Sequence, residues 1–81
     1  MQRFFLHIHN GFGFVPDKEG VSLSGLDAAR AQAIVSIRSI LAEEVNMTGL
    51  IDLGGRIDIV DEEGTVTAVP FGEAVEVRGK D

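Results

Sequence analysis

The sequence predicts an α+β fold in which one long helix packs on one face of a small antiparallel sheet of four to five strands. Short alternating segments stand before and after one helical segment, and turn sequences join them in pairs. A single helix is too few for the crossovers of a parallel sheet. The expected order is ββαββ, with room for a further short strand. We expect residues 1–81 to form a single domain, with 78–81 as a frayed tail.

The first strand covers residues 3–9. Alternation places three apolar residues on one face: Phe4, Leu6 and Ile8. The opposite face carries Phe5, His7 and His9. Asn10-Gly11 is a strong turn signal, so residues 12–15 are expected to return as a short partner strand. A second turn follows at residues 17–20, and residues 21–23 form a brief extended piece.

The helix is expected from Ser24 to about Asn46. Ser24 should cap its N-terminus, with Asp27 as the reciprocal acid, and Thr48-Gly49 should end it. At 100° per residue, a broad apolar arc faces the sheet: Leu26, Ala29, Ala33, Ile34, Ile37, Ile40 and Leu41. A smaller apolar flank lies beside it: Ala31, Val35 and Ala42.

The second half is expected to complete the sheet. Residues 50–55 form a connection whose apolar residues fold back onto the core, and residues 56–60 alternate as a strand. Residues 61–64 make a hairpin turn with Gly64 in the left-handed region, so that residues 65–69 return. Pro70 stops that strand, and residues 74–77 are candidates for a last one.

Several short motifs together resemble one protein family, and they cover nearly the whole chain. The motifs are Phe4-Phe5-Leu6-His7, Asn10-Gly11, Pro16-Asp17-x-Glu19-Gly20, Leu26-Asp27-Ala28-Ala29-Arg30-Ala31-x-Ala33, Ile57-x-Ile59-x-Asp61-Glu62-x-Gly64 and Pro70-Phe71-x-x-Ala74-Val75. In this combination the chain resembles a family of small uncharacterised single-domain bacterial proteins, a domain of unknown function common in soil and plant-associated bacteria. The resemblance implies a stand-alone domain, and it implies no catalytic residues.

A second likeness is architectural only. The order of an opening strand pair, a turn, an alanine-rich helix and a following strand is similar to that of antitoxins from bacterial toxin–antitoxin pairs. An antitoxin-like regulator is therefore one alternative function.

Composition and charge restrict the class of partner. The net charge is −6, and residues 43–81 hold ten of the thirteen acidic residues, so we expect no nucleic-acid binding. No apolar run reaches the length of a membrane span, and Met1 leads into charged and aromatic residues rather than a signal peptide. Without cysteine the chain suits a reducing compartment, so we expect a cytoplasmic protein that does not bind a membrane.

His7 and His9 are the candidate metal ligands. Alternation puts both imidazoles on one side of a strand, and Asp17 or a later carboxylate could add an oxygen ligand. Two histidines are few for a tight site, so the favoured interpretation is that both rings lie on a half-exposed sheet face beside Phe5. Metal or small-ligand binding through His7 and His9 is a second alternative function.

Sequence signatures of catalysis are missing. The chain has no cysteine, and none of its serines lies in a nucleophile-elbow sequence. Gly11-Phe12-Gly13 does not complete a dinucleotide fingerprint, because Pro16 occupies its last position. We therefore expect no enzyme activity and no cofactor.

Surplus apolar surface favours a non-catalytic protein-interaction module. One helix covers only one face of a sheet, so the face that carries Phe5 needs another cover, and a homodimer formed by a sheet edge or face would supply it. Val35 on the helix flank is a second candidate contact. Arg30 is a third, able to bind an anion or a partner's carboxylate, although packing of its stem with the guanidinium on Asp27 or a turn acid is favoured.

Overall fold

The computed structural model describes residues 1–11 and 13–79, and within them it contains five strands, one α-helix and one 3₁₀ turn. The strands are β1 (Gln2–Asn10), β2 (Gly13–Val15), β3 (Val21–Leu23), β4 (Arg56–Val60) and β5 (Val66–Pro70). The helix α1 covers Leu26–Thr48, and the 3₁₀ turn covers Phe71–Glu73. The predicted α+β class is confirmed, with the brief extended piece at 21–23 formed as a true strand.

All strand pairs are antiparallel, and the sheet has the order β2-β1-β4-β5. The nine-residue β1 lies inside the sheet because it pairs with β4 on one side and with two short strands on the other. The strand β2 pairs with residues 8–10 of β1, whereas β3 pairs with residues 2–4. Within the described residues, residues 5–7 of β1 therefore have no neighbouring strand on that side.

The core lies between α1 and one face of the sheet. Its buried residues are Phe4, Ala29, Ala33, Ile37, Leu41, Ile57, Ile59, Val69, Phe71 and Ala74. The buried helix residues recur every four positions, with alanines at 29 and 33 and larger side chains at Ile37 and Leu41. The predicted alternation of β1 is confirmed, because Phe4 is buried and Leu6 and Ile8 pack against the core from the same face.

The two helix ends differ from each other in how well they follow the prediction. Gly49 adopts a left-handed conformation (φ 73°) and donates its N–H to the Val45 carbonyl at 2.8 Å, which confirms the predicted stop. The predicted Ser24 cap is wrong, because Gly25 occupies the cap position and no side chain caps the helix. Ser24 stands one residue too early for its hydroxyl to reach the first free amides. Leu26, expected on the buried arc, is 44% exposed.

Two predictions for the second half are also wrong. The apolar residues of the connection do not fold back: Leu50 and Ile51 are both more than half exposed. The ring of Phe71 fills the core beside Gly55 instead, so close that a Cβ on Gly55 would lie 2.6 Å from it. Residues 74–77 form no strand, because the 3₁₀ turn at Phe71–Glu73 leads the chain away from the sheet.

The hairpin between β4 and β5 follows the prediction. Gly64 has a positive φ of 87°, and its N–H donates to the Asp61 carbonyl at 3.0 Å. The predicted short return strand is confirmed for residues 13–15, whereas Phe12 lies outside the described residues, as do 80 and 81 of the expected tail. Within the described residues, no helix combines the length and the apolar character that crossing a membrane requires.

Candidate functional site

The sheet face opposite α1 carries a row of four rings. Alternation along β1 places Phe5, His7 and His9 on this face, and β2 brings Phe14 beside His9 because the two residues are register partners. The Phe14 ring centroid lies 5.6 Å from His7 and 4.6 Å from His9, and Phe5 stacks on His7 at 6.4 Å. No element covers this row in the part of the chain that the structure describes, and Phe14 is 53% exposed.

A charged cluster stands next to the rings on the same face. The register pairs His9 with Arg56 and His7 with Asp58, so these four side chains share the face. The Asp58 carboxylate lies 3.1 Å from His9 Nε2 and accepts a hydrogen bond from Arg56 Nε at 3.0 Å. Asp58 therefore connects β1 to β4 on the uncovered side, through its contacts with the His9 imidazole and the Arg56 guanidinium.

Asp17 closes the gap between β2 and β3 along β1. Its carboxylate accepts hydrogen bonds from the backbone N–H groups of Leu6, at 3.2 Å, and Gly20, at 3.0 Å. Its own N–H donates to His7 Nδ1 at 3.0 Å. On the side of β1 away from β4, no strand of the described residues pairs with Leu6, so the carboxylate takes the place of a strand for that amide.

The surroundings of Asp17 set its acidity. Partial burial of the carboxyl would by itself raise its pKa, but hydrogen bonds from the backbone amides of Gly20, Leu6 and Glu19 outweigh this effect. The nearby His7 side chain acts in the same direction, and the pKa of Asp17 is lowered from its usual value of 3.8. The carboxylate is thus a structural acceptor that stays ionised near neutral pH.

These contacts bear on the predicted metal ligands. His7 Nδ1 and His9 Nε2 each already have a partner, and the Phe14 ring lies against both imidazoles. Asp17, the expected oxygen ligand, is held by backbone donors. Among residues 1–11 and 13–79 no three histidine or acidic side chains are grouped as a metal site would need. Metal binding by His7 and His9 stays a prediction that this geometry does not favour.

The structure does not bring the three predicted contact residues together. Phe5 lies on the uncovered sheet face, Val35 is 57% exposed on the outer side of α1, and Arg30 lies at the helix edge. Arg30 Nη1 is 3.2 Å from Glu73 Oε2, so the guanidinium binds an acid in the 3₁₀ turn. This matches the favoured interpretation of Arg30, with Glu73 in place of Asp27.

The edge strand β5 is a feature that sequence reasoning missed. Asp61 N–H donates to the Thr65 carbonyl at one end of the β4–β5 pair, and Phe71 N–H donates to the Gly55 carbonyl at the other. Antiparallel ladders alternate, so Thr67 and Val69 bond to β4 between these points, whereas Val66 and Ala68 direct their N–H and C=O groups away from the sheet. The uncharged sequence Val66-Thr67-Ala68-Val69-Pro70 was the available signal.

An apolar groove of about 560 Å³ runs beside the C-terminal half of α1. Its apolar lining comes from the helix, the connection and the segment after the 3₁₀ turn: Leu41, Ala42, Val45, Ile51, Val75 and Val77. Arg38 holds that last segment through a hydrogen bond from its Nε to the Ala74 carbonyl, 2.7 Å long. The groove is open to solvent, and its charged lining residues are Arg38, Glu76 and Arg78, with Arg78 Nε 2.9 Å from Glu76 Oε2.

A model of one protein family, described as "Domain of unknown function (DUF6894)", matches residues 3–72 of the chain. The match spans β1 to the 3₁₀ turn, so it includes the ring row, Asp17 and the β5 edge. No curated protein and no solved structure matches the chain.

Proposed function

The chain belongs to the family described as a domain of unknown function (DUF6894), and we propose that it is a non-catalytic protein-interaction module that works as a homodimer. The observation that carries the proposal is the sheet itself, which has one face packed on α1, the other face uncovered, and an edge strand, β5, with no strand beyond it in the described residues. Two apolar side chains on the uncovered face, Phe14 and Val66, are more than half exposed. Such surfaces in small proteins are commonly covered by another chain.

The polar groups of the site support a structural role for them. Asp17 and His7 contact backbone groups, and Asp58 contacts the side chains of His9 and Arg56, so these polar groups hold the sheet together. Within the described residues no polar or charged side chain is buried in the core. Catalysis needs positioned and desolvated groups, so this arrangement favours binding over chemistry.

The oligomeric state tests the proposal. Light scattering coupled to size exclusion, run from low to high micromolar protein, should show a mass that rises from 8.7 kDa toward twice that value. A monomer that persists at high micromolar concentration would contradict the proposed function.

The cytoplasmic location stays a prediction, which fractionation of cells expressing the full chain would check.

A further inference from the structure

We propose that a second copy of this chain pairs with β5 along its free edge, in antiparallel orientation about a two-fold axis at Ala68. The proposal rests on the homodimer proposed above and assigns its interface. It is carried by the backbone groups of Val66 and Ala68, which point away from β4 and have no hydrogen-bond partner in residues 1–11 and 13–79. An edge of this kind is a template for another strand.

The edge is complementary to itself. With the axis at Ala68, the two Ala68 residues exchange N–H···O=C hydrogen bonds, and each Val66 N–H meets the carbonyl of the partner's Pro70. Pro70 has no N–H, and in this register none is required to complete the central pair. The register also keeps every inward bond of β5 to β4, so no part of the monomer has to rearrange.

Charge and area both fit a second copy. No residue of β5 is charged, so two edges meet without opposed like charges, and β5 lacks the lysine that commonly protects an edge. Five residues extend about 17 Å, so the contact is small and falls in the weak class of interfaces, below ~1,200 Å² in total. We therefore expect dissociation in the micromolar range rather than a permanent dimer.

The other side of the sheet explains why pairing stops at two copies. There the edge consists of β2 and β3, three residues each, placed at opposite ends of β1 with Asp17 between them. Within the described residues this side offers no continuous run of free backbone groups. Since β5 is the only long free edge strand among those residues, two copies use up their available edges, and the contact closes as a dimer instead of growing into a fibre.

Disulfide trapping tests the axis, because the chain contains no cysteine. Bonded residues in an antiparallel pair have Cα atoms about 5.5 Å apart, within the span of a disulfide. Ala68→Cys should cross-link under mild oxidation at least ~10-fold faster than Val35→Cys, whose site on the outer side of α1 is 57% exposed. Circular dichroism of both reduced variants shows whether they are folded.

A second variant tests the hydrogen bonds between the two β5 strands without a covalent cross-link. Ala68→Pro removes an outward N–H that β4 does not use, and it should weaken dimerisation at least ~10-fold relative to Val66→Thr, which keeps the backbone donor. A dimeric wild type with equal cross-linking at residues 35 and 68, and unchanged dimerisation of Ala68→Pro, would overturn the edge assignment and leave the proposed function standing. A monomeric wild type would overturn both.

Discussion

The two edges of the sheet are built in opposite ways. On the β1 side, two three-residue strands cover the ends of β1, and the Asp17 carboxylate bonds the amide that lies between them. On the β5 side, five uncharged residues end the sheet, with the outward groups of Val66 and Ala68 unbonded within the described part of the chain. One edge is closed by the chain itself, and the other is unpaired within the described residues.

The difference shows what an edge needs in order to be closed. A side chain can replace a strand only where a turn fixes it, and Asp17 is fixed because Gly20, at the end of its turn, donates to the same carboxylate. No comparable side chain of the described residues reaches the free edge of β5, since the chain leaves Pro70 in a 3₁₀ turn and returns toward α1. Closure therefore follows from local turn chemistry more than from strand composition.

The largest expected effect comes from proline substitution in β5, at a residue whose N–H bonds to β4. Thr67 bonds to β4, so Thr67→Pro should cost about 3 kcal/mol or more of the free energy of unfolding. Ala68→Pro should cost less than about 1 kcal/mol, because its N–H points outward. Urea unfolding at low protein concentration measures both. Equal losses at the two positions would show that the assignment of inward and outward groups is wrong.

Gly20→Ala tests the edge that β2, β3 and Asp17 close. It should lower the free energy of unfolding by about 2–4 kcal/mol. Gly20 has φ 74°, and a Cβ there would lie 2.9 Å from the Phe4 carbonyl and from the Phe5 ring. Gly64→Ala is the matched control, because Gly64 also has a positive φ (87°) but open space around it. In thermal unfolding, Gly64→Ala should lower the free energy of unfolding by only about 1 kcal/mol. Similar losses for the two would mean that the close approach at Gly20 is unimportant.

Asp17→Ala should cost about 2 kcal/mol, because it leaves the Leu6 and Gly20 amides without their acceptor. Asp17→Asn keeps one acceptor oxygen, so its free energy of unfolding should fall less than that of Asp17→Ala. Chemical denaturation at pH 7 compares the three proteins. A loss below about 0.5 kcal/mol for Asp17→Ala would contradict the view that this side chain stands in for a strand.

The pH dependence of stability in wild type and Asp17→Asn tests the lowered pKa of Asp17. The folded-state pKa of Asp17 lies below its unfolded value, so its charge stabilises the fold above the unfolded pKa, and that contribution is lost as the pH falls through the folded pKa. The stability gap between wild type and Asp17→Asn should be constant near neutral pH and shrink below about pH 4. A gap that widened with acid would contradict the direction of the shift.

The smallest expected effect concerns His7 and His9. Because each imidazole already has its own partner, zinc titration by calorimetry should show only weak binding, no tighter than about 0.1 mM. The His7→Ala/His9→Ala double variant should change the heat little. Submicromolar binding by wild type that the double variant lost would restore the metal hypothesis and give the uncovered face a ligand.

The elements that follow from local periodicity were predictable from the sequence. Alternation placed Phe4 and Phe5 on opposite faces of β1, and glycines at 49 and 64 marked a helix end and a hairpin by their need for positive φ. Ser24 failed as a cap because cap position depends on the backbone of Gly25. The prediction that the apolar residues of the connection at 50–55 fold back onto the core was wrong, because Phe71, distant in sequence, fills the core at Gly55.

The candidate site was predictable only in part, for the same reason. The shared face of His7 and His9 follows from alternation, but their partners Asp17 and Asp58 come from long-range pairing. The free edge of β5 depends on the strand order, which places β4 between β1 and β5 and puts no strand beyond β5 in the described residues. Strand order arises from packing of the whole chain, and no single segment of sequence encodes it.

Amide hydrogen exchange at the two edges, followed by NMR across protein concentrations, tests the central claim most directly. The amides of Val66, Ala68 and, on the other side, Phe14 all face outward by the alternation of their ladders. We predict that exchange at Val66 and Ala68 slows as concentration rises through the micromolar range, whereas exchange at Phe14 does not change. Exchange at Val66 and Ala68 that stayed fast and independent of concentration would contradict the account.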